Sequence, residues 1–149
     1  MRHAILALAL MVAVAPVVAS QTGAKSPDRA AVEAAALDYV EGLYNADPSR
    51  IERSVHQQLT KRGFWRDSAT APWGPQLTMT YEQLVALTKK WNADKKQDIS
   101  IKRVTVYEVL DQTASAKITA QWGIDYLHLA KYDGRWKIIN IVWQAHPAK

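Results

Sequence analysis

Two periodicities of apolar residues follow one another along the chain. Before residue 92 apolar positions recur every three or four residues, and after residue 99 they alternate. Val32, Ala35, Ala36, Tyr39, Val40 and Leu43 form one stripe at helical spacing, with Glu33, Asp38 and Glu41 off it. Ser26-Pro27-Asp28 opens this helix and Asn45-Ala46-Asp47 breaks it. Asp47 followed by Pro48 puts an N-cap residue before a first-turn proline. Ile51, Val55 and Leu59 then predict a second, shorter amphipathic helix. Thr60 to Met79 contains Gly63, Pro72, Gly74 and Pro75, and reads as a loop with short extended pieces at Phe64-Trp65 and Leu77 to Met79. Thr80 and Gln83 make a capping box. It opens a third helix with Leu84, Leu87, Thr88 and Trp91 inward, and Asn92-Ala93-Asp94 ends it.

From Ile99 the runs are rich in Ile, Val, Thr, Tyr and Trp and predict strands over 99–110, 114–132 and 135–145. Asp111-Gln112-Thr113 is a turn. Asp133-Gly134 between two alternating runs is a strong hairpin signal. The middle run is long for one strand, and Gly123 is read as a bulge or bend within it. Three helices followed by a bent antiparallel meander define an α+β domain, with helices on the concave face of the sheet.

A two-residue turn at Asp133-Gly134 pairs Tyr132 with Arg135, and the register then runs Leu129 with Ile138, Leu127 with Asn140 and Asp125 with Val142. Opposed residues share a face. One face therefore carries Asp125 and Asn140 among apolar side chains, the form of a small-molecule pocket floor. The other carries Tyr126, His128, Ile139, Ile141 and Trp143. That face is too apolar to leave in water and predicts an interface, most simply a homodimer through the sheet.

Composition adds a location. The chain has 149 residues, 48% hydrophobic and 22% charged, with formal charge +5. Arg2-His3, an apolar run from Ala4 to Ala19 and the small residues up to Ser20 have the pattern of a secretory signal peptide over residues 1–20. A linker over 21–27 and one domain over 28–146 follow, so the expected destination is secreted or periplasmic, with no membrane anchor after cleavage. The positive charges occur as scattered pairs such as Lys61-Arg62 and Lys89-Lys90, which does not describe a nucleic-acid arm. With no cysteine there is no disulfide or thiolate site. His56, His128 and His146 lack metal-ligand spacing, and no glycine-rich phosphate loop or serine elbow is present, so no metal and no cofactor are expected.

The segments Asp125-Tyr126-Leu127-His128-Leu129-Ala130-Lys131 and Asp133 to Trp143 resemble the C-terminal hairpin of the putative lumazine-binding family, within the nuclear-transport-factor-2-like (NTF2-like) superfamily. Asp38 to Tyr44, Ile51 to His56, Lys61-Arg62-Gly63 and Met79-Thr80 with Gln83-Leu84 agree with it. The resemblance implies a cone: a strongly curved sheet wrapped around helices, with an internal cavity and frequent dimerisation through the sheet. Similar folds host isomerases, dehydratases and cyclases beside non-enzymatic binders, so the fold does not select a function.

The reading that follows is a small-molecule binder with an unidentified ligand in the cone, held by Tyr39, His56, Trp65, Asp125 and Asn140. The alternative is a cavity enzyme with Asp125 as general base and Tyr39 or His56 as acid partner. On either reading, Asp125→Asn is expected to alter function while leaving the fold intact.

Overall fold

Ser26 Oγ accepts a hydrogen bond from the Arg29 amide at 3.2 Å, and Pro27 occupies the first helical turn, where its missing N–H costs nothing. The first helix, α1, accordingly runs Pro27–Asn45 in the computed structural model, which describes residues 26–148. The expected signal peptide and all but the last two residues of the expected linker lie outside the described residues. The predicted stripe of α1 is the buried one: Val32, Ala36, Tyr39 and Val40 are fully buried. Ala46 ends the helix in the left-handed region at φ 55°.

Asp47 caps α2, Pro48–Ser54, by accepting from the Ser49 amide at 3.0 Å. Here the expectation fails. The helix stops at Ser54, and Val55–Phe64 is a strand, β1. Ile51, Val55 and Leu59 have helical spacing, but Leu59, Lys61 and Gly63 also alternate and all three are buried. Pairing with a distant strand decides between the two periods, an override that local sequence does not report. β2, Leu77–Met79, adds to the edge of β1. The Thr80–Gln83 capping box forms as predicted and starts α3, Tyr81–Thr88. That helix ends a turn earlier than its apolar pattern, leaving Trp91 in the following turns.

β3 spans Lys102–Val109, β4 Thr113–Ala120, β5 Gly123–Tyr132 and β6 Arg135–Gln144. The long middle run is two strands. Gln121 and Trp122 form a tight turn closed by the Ala120–Gly123 pair. At the next turn Asp133 (φ 49°) and Gly134 (φ 75°) both take positive φ, as a two-residue type I′ hairpin requires. The six strands form one sheet in the order β2-β1-β6-β5-β4-β3, and β1 runs parallel to β6. The sheet is therefore mixed, not a pure antiparallel meander. α1 packs against β3, β4 and β6, and Asp38 and Glu41 on its outer side bind Arg50, Arg53 and Lys102.

The predicted register holds from Tyr132–Arg135 to Leu129–Ile138 and then slips. Ile139 is an extra residue, a β-bulge, so that His128 pairs with Asn140, Leu127 with Ile141 and Asp125 with Trp143. A one-residue slip exchanges the two faces of a strand. Beyond the bulge Asn140 and Val142 face outward, while Ile141 is fully buried and Trp143 turns inward beside Asp125.

Asp28 fastens the start of α1 to the end of the hairpin. Its carboxylate accepts from Lys131 Nζ at 2.8 Å and Trp136 Nε1 at 3.0 Å. These hydrogen bonds, Lys131's first, hold its carboxyl below the ordinary aspartate value of 3.8. A lowered folded value gives stability that is present above the unfolded value and lost as pH falls through the folded one. Asp28→Asn should therefore be less stable than wild type at neutral pH, and urea unfolding should show the gap closing as the pH falls below the ordinary aspartate value. A gap that does not change with pH would disprove the assignment.

Candidate functional site

The inward residues of β1, β6 and β5 lie in rows across the sheet. One row runs Met79, Lys61, Ile141, Leu127, Ala116 and Val106. The next runs Leu77, Gly63, Trp143, Asp125 and Ile118, ending at Val104. Tyr39 of α1 comes down onto both. Its phenol donates to Asp125 Oδ2 at 2.8 Å and accepts from Lys61 Nζ at 2.7 Å. Lys61 Nζ is 3.6 Å from the same carboxylate oxygen, and Trp122, from the β4–β5 turn, donates its Nε1–H to Asp125 Oδ1 at 3.0 Å. Asp125 and Tyr39 are fully buried, and the Lys61 side chain is 7% exposed. A buried ion pair is tolerated only when its remaining hydrogen-bonding capacity is met, and here both carboxylate oxygens have donors.

Burial pushes the Lys61 ammonium below its ordinary value of 10.5, against the opposing pull of the Asp125 charge. Burial, then the charge of Asp125, pushes the Tyr39 phenol well above 10. Tyr39 is therefore a neutral hydroxyl at physiological pH, donating to the carboxylate and accepting from the amine.

Over this cluster lies a cavity of about 250 Å³. Tyr39 and Leu43 of α1, Lys61, Leu77, Met79, Leu84 and Leu87 contribute to its wall, together with the indoles of Trp65, Trp91, Trp122 and Trp143. Trp122 meets Tyr39 edge-on at 6.3 Å and Trp91 at 5.2 Å. Lys61 Nζ stands 5.4 Å from the centre of the Trp143 ring and 5.3 Å from that of Tyr39, within cation–π range. Trp65 and Leu77 are 42% and 45% exposed. Gly63 makes room for Trp143: a methyl group there would lie 2.1 Å from the Trp143 carbonyl oxygen and 2.5 Å from its indole ring.

Of the five ligand-binding candidates, the structure brings three together. Tyr39 and Trp65 line the cavity, and Asp125 lies directly behind it, shielded by Tyr39 and Trp122. His56 does not join them. It stacks on Tyr132 at 4.3 Å beside a separate depression bordered by Tyr81, Arg135 and Lys137. Asn140 is on the outer face, its amide 3.1 Å from His128 Nδ1, because the Ile139 bulge reverses its side. The same reversal moves Ile141 and Trp143 from the expected interface into the interior. What remains outward, Tyr126 (48% exposed), Val142 (44% exposed), His128 and the bulged Ile139, is interspersed with Ser115, Lys117, Arg62 and Asn140. This face is less apolar than the sequence implied.

Sequence reasoning missed Lys61 altogether and assigned Trp143 to the wrong side. The available signal for Lys61 was its place between Leu59 and Gly63 in an alternating run. As a general base, Asp125 would need a free lone pair facing the ligand. Its oxygens instead accept from Tyr39 and Trp122, with Lys61 alongside, so its first job is to compensate a buried cation. Asp125→Asn would remove that compensation, so the variant is expected to lose stability as well as function. Among the described residues no group of three His, Asp or Glu side chains converges to hold a metal ion.

A curved mixed sheet around a long helix, with a cavity between them, is the NTF2-like fold. An NTF2-like protein of unknown function from Silicibacter pomeroyi superposes with TM-score 0.62 at 18% identity, covering 78% of this chain and 94% of that one. A second, from Shewanella baltica, gives 0.57 at 18% identity over 79% and 93%. A ketosteroid isomerase-like protein from Erwinia carotovora atroseptica gives 0.51 at 13% identity over 81% and 98%. At these identities the likeness is one of fold. No curated protein sequence matches the chain. Residues 27–144 match the model of the family described as putative lumazine-binding, and the chain belongs to that family.

Proposed function

We propose that this protein is an exported, non-catalytic binder of a small, flat aromatic molecule. The observation that carries the reading is the wall of four indoles around one buried amine. Aromatic walls recognise flat ligands by stacking and edge contacts, and one polar group fixes their orientation. Drug-sized sites run to about 300–1,000 Å³, so a cavity of about 250 Å³ suits one or two rings. Lys61 and Asp125 neutralise each other, which favours a neutral ligand presenting an acceptor oxygen to Lys61. The family's description makes lumazine, a two-ring dione, a natural first probe. Export is supported by the leader-like pattern of residues 1–20. A homodimer through the sheet is supported by the neighbouring exposed Tyr126 and Val142.

Native mass spectrometry of the protein recovered from a periplasmic fraction reads all of this at once. The expected species lacks its leader, is dimeric, and carries a noncovalent molecule of a few hundred daltons. In a second measurement, lumazine and 2-naphthol should quench tryptophan fluorescence saturably, and Trp143→Ala should weaken binding about tenfold, the scale of one aromatic contact. Linear, non-saturating quenching by both probes would defeat the cavity reading, and an uncleaved chain would defeat export.

A further inference from the structure

Lys61 has a combination of properties that simple ligand anchoring does not require. Its amine is nine-tenths buried and borders the cavity. It is also joined to a carboxylate by two hydrogen bonds in series, Lys61 Nζ to Tyr39 Oη at 2.7 Å and Tyr39 Oη to Asp125 Oδ2 at 2.8 Å. A surface lysine has no such path for discarding a proton without water. The remaining lining around the amine is carbon and indole.

We propose that Lys61 captures an aromatic aldehyde covalently, as an imine, in the same cavity. This rests on the reading of the cavity as a site for flat aromatic molecules and adds the functional group they carry. The ammonium passes a proton to Tyr39 Oη as Tyr39 passes its own to Asp125, leaving a neutral amine. The nitrogen lone pair then attacks the aldehyde carbon. The C=O π pair moves to oxygen, and that oxygen takes the proton shed by nitrogen. The proton lent to Asp125 returns through Tyr39 to the hydroxyl, which leaves as water while the nitrogen lone pair closes the C=N bond. Overall, ammonium and aldehyde give iminium and water, and nothing is oxidised or reduced. The iminium remains paired with Asp125. Burial favours this chemistry by easing loss of the ammonium proton and by limiting water's access to the product. Tyr39 acts here as the proton carrier and meets the former aldehyde oxygen only when it returns the proton.

The test uses 2-naphthaldehyde with sodium cyanoborohydride, which reduces an imine to a stable secondary amine. The folded protein is treated at substoichiometric aldehyde, digested, and mapped by mass spectrometry. The expected result is one adduct per chain, at Lys61, enriched at least tenfold over exposed lysines such as Lys89 and Lys96. Unfolding in urea before labelling should erase the preference. Tyr39→Phe, judged by the initial rate of adduct formation, should slow labelling of Lys61 without changing that of the surface lysines. Labelling spread evenly over the surface lysines would overturn the proposal. Should 2-naphthol still quench tryptophan saturably in that case, the binding cavity stands and only the covalent step fails. If neither signal appears, both fall.

Discussion

Lys61→Met lowers the stability of the fold by about 3–5 kcal/mol, the cost of leaving one member of a buried ion pair without its partner. The methionine stem replaces most of the lysine volume, so the loss is electrostatic and not a packing void. Asp125 keeps the donors from Tyr39 and Trp122 but loses its cation, and the Tyr39 oxygen loses a donor. The double variant Lys61→Met with Asp125→Asn buries no net charge and should recover a substantial part of the loss. Urea unfolding midpoints of the two variants and the wild type are the measurement. A single variant within about 1 kcal/mol of wild type would mean that the pair is solvated in practice and has only the weight of an exposed one.

Gly63→Ala should be strongly damaging to both the fold and the cavity. Gly63 is directly paired with Trp143 across the parallel β1–β6 ladder, and the added carbon would meet both that residue's backbone oxygen and its ring. Rotating the indole relieves only the second clash. The first requires the two strands to separate. Overpacking of a close-packed interior costs about 1–3 kcal/mol, and rigid backbone places this site at or above the upper end. The displaced indole would also intrude on the cavity, so aromatic probes should bind at least tenfold more weakly even under conditions where the variant is fully folded. Wild-type affinity in a destabilised Gly63→Ala protein would show that Trp143 is not part of the binding wall.

The sequence carried different parts of this structure with different clarity. The α1 stripe, both helix caps, the α3 capping box and the Asp133-Gly134 turn are local devices, and each operates as its residues predict. Asp125, Leu127 and Leu129 share the buried face as alternation requires. The errors began where structure depends on residues far apart in sequence. β1 looks like a helix continuing from Ile51 until β6 is present to pair with it. Lys61 then reads as one of a basic surface pair, since nothing nearby reveals that Asp125 lies under it. The Ile139 bulge is subtler still. No proline or glycine marks it, and one inserted isoleucine was enough to exchange Asn140 for Ile141 and Val142 for Trp143 in the predicted lining. Three of the five candidates thus lie together, while Asn140 is displaced by one residue of register and His56 by the strand that replaces the expected helix.

The position of β1 between β2 and β6 also governs time. β3 to β6 are consecutive neighbours joined by short turns, so their contacts close small loops. β1 finds its parallel partner only in the last strand of the chain, and closing so long a loop carries an entropic cost that must be met before any pairing rewards it. The step that seats β1 is the one that brings Lys61 to Asp125. Contacts made after the main barrier alter how fast a protein comes apart and hardly alter how fast it assembles. If β1 seats after that barrier, a chain lacking the buried charge pair is expected to fold at nearly the usual pace and to unfold faster.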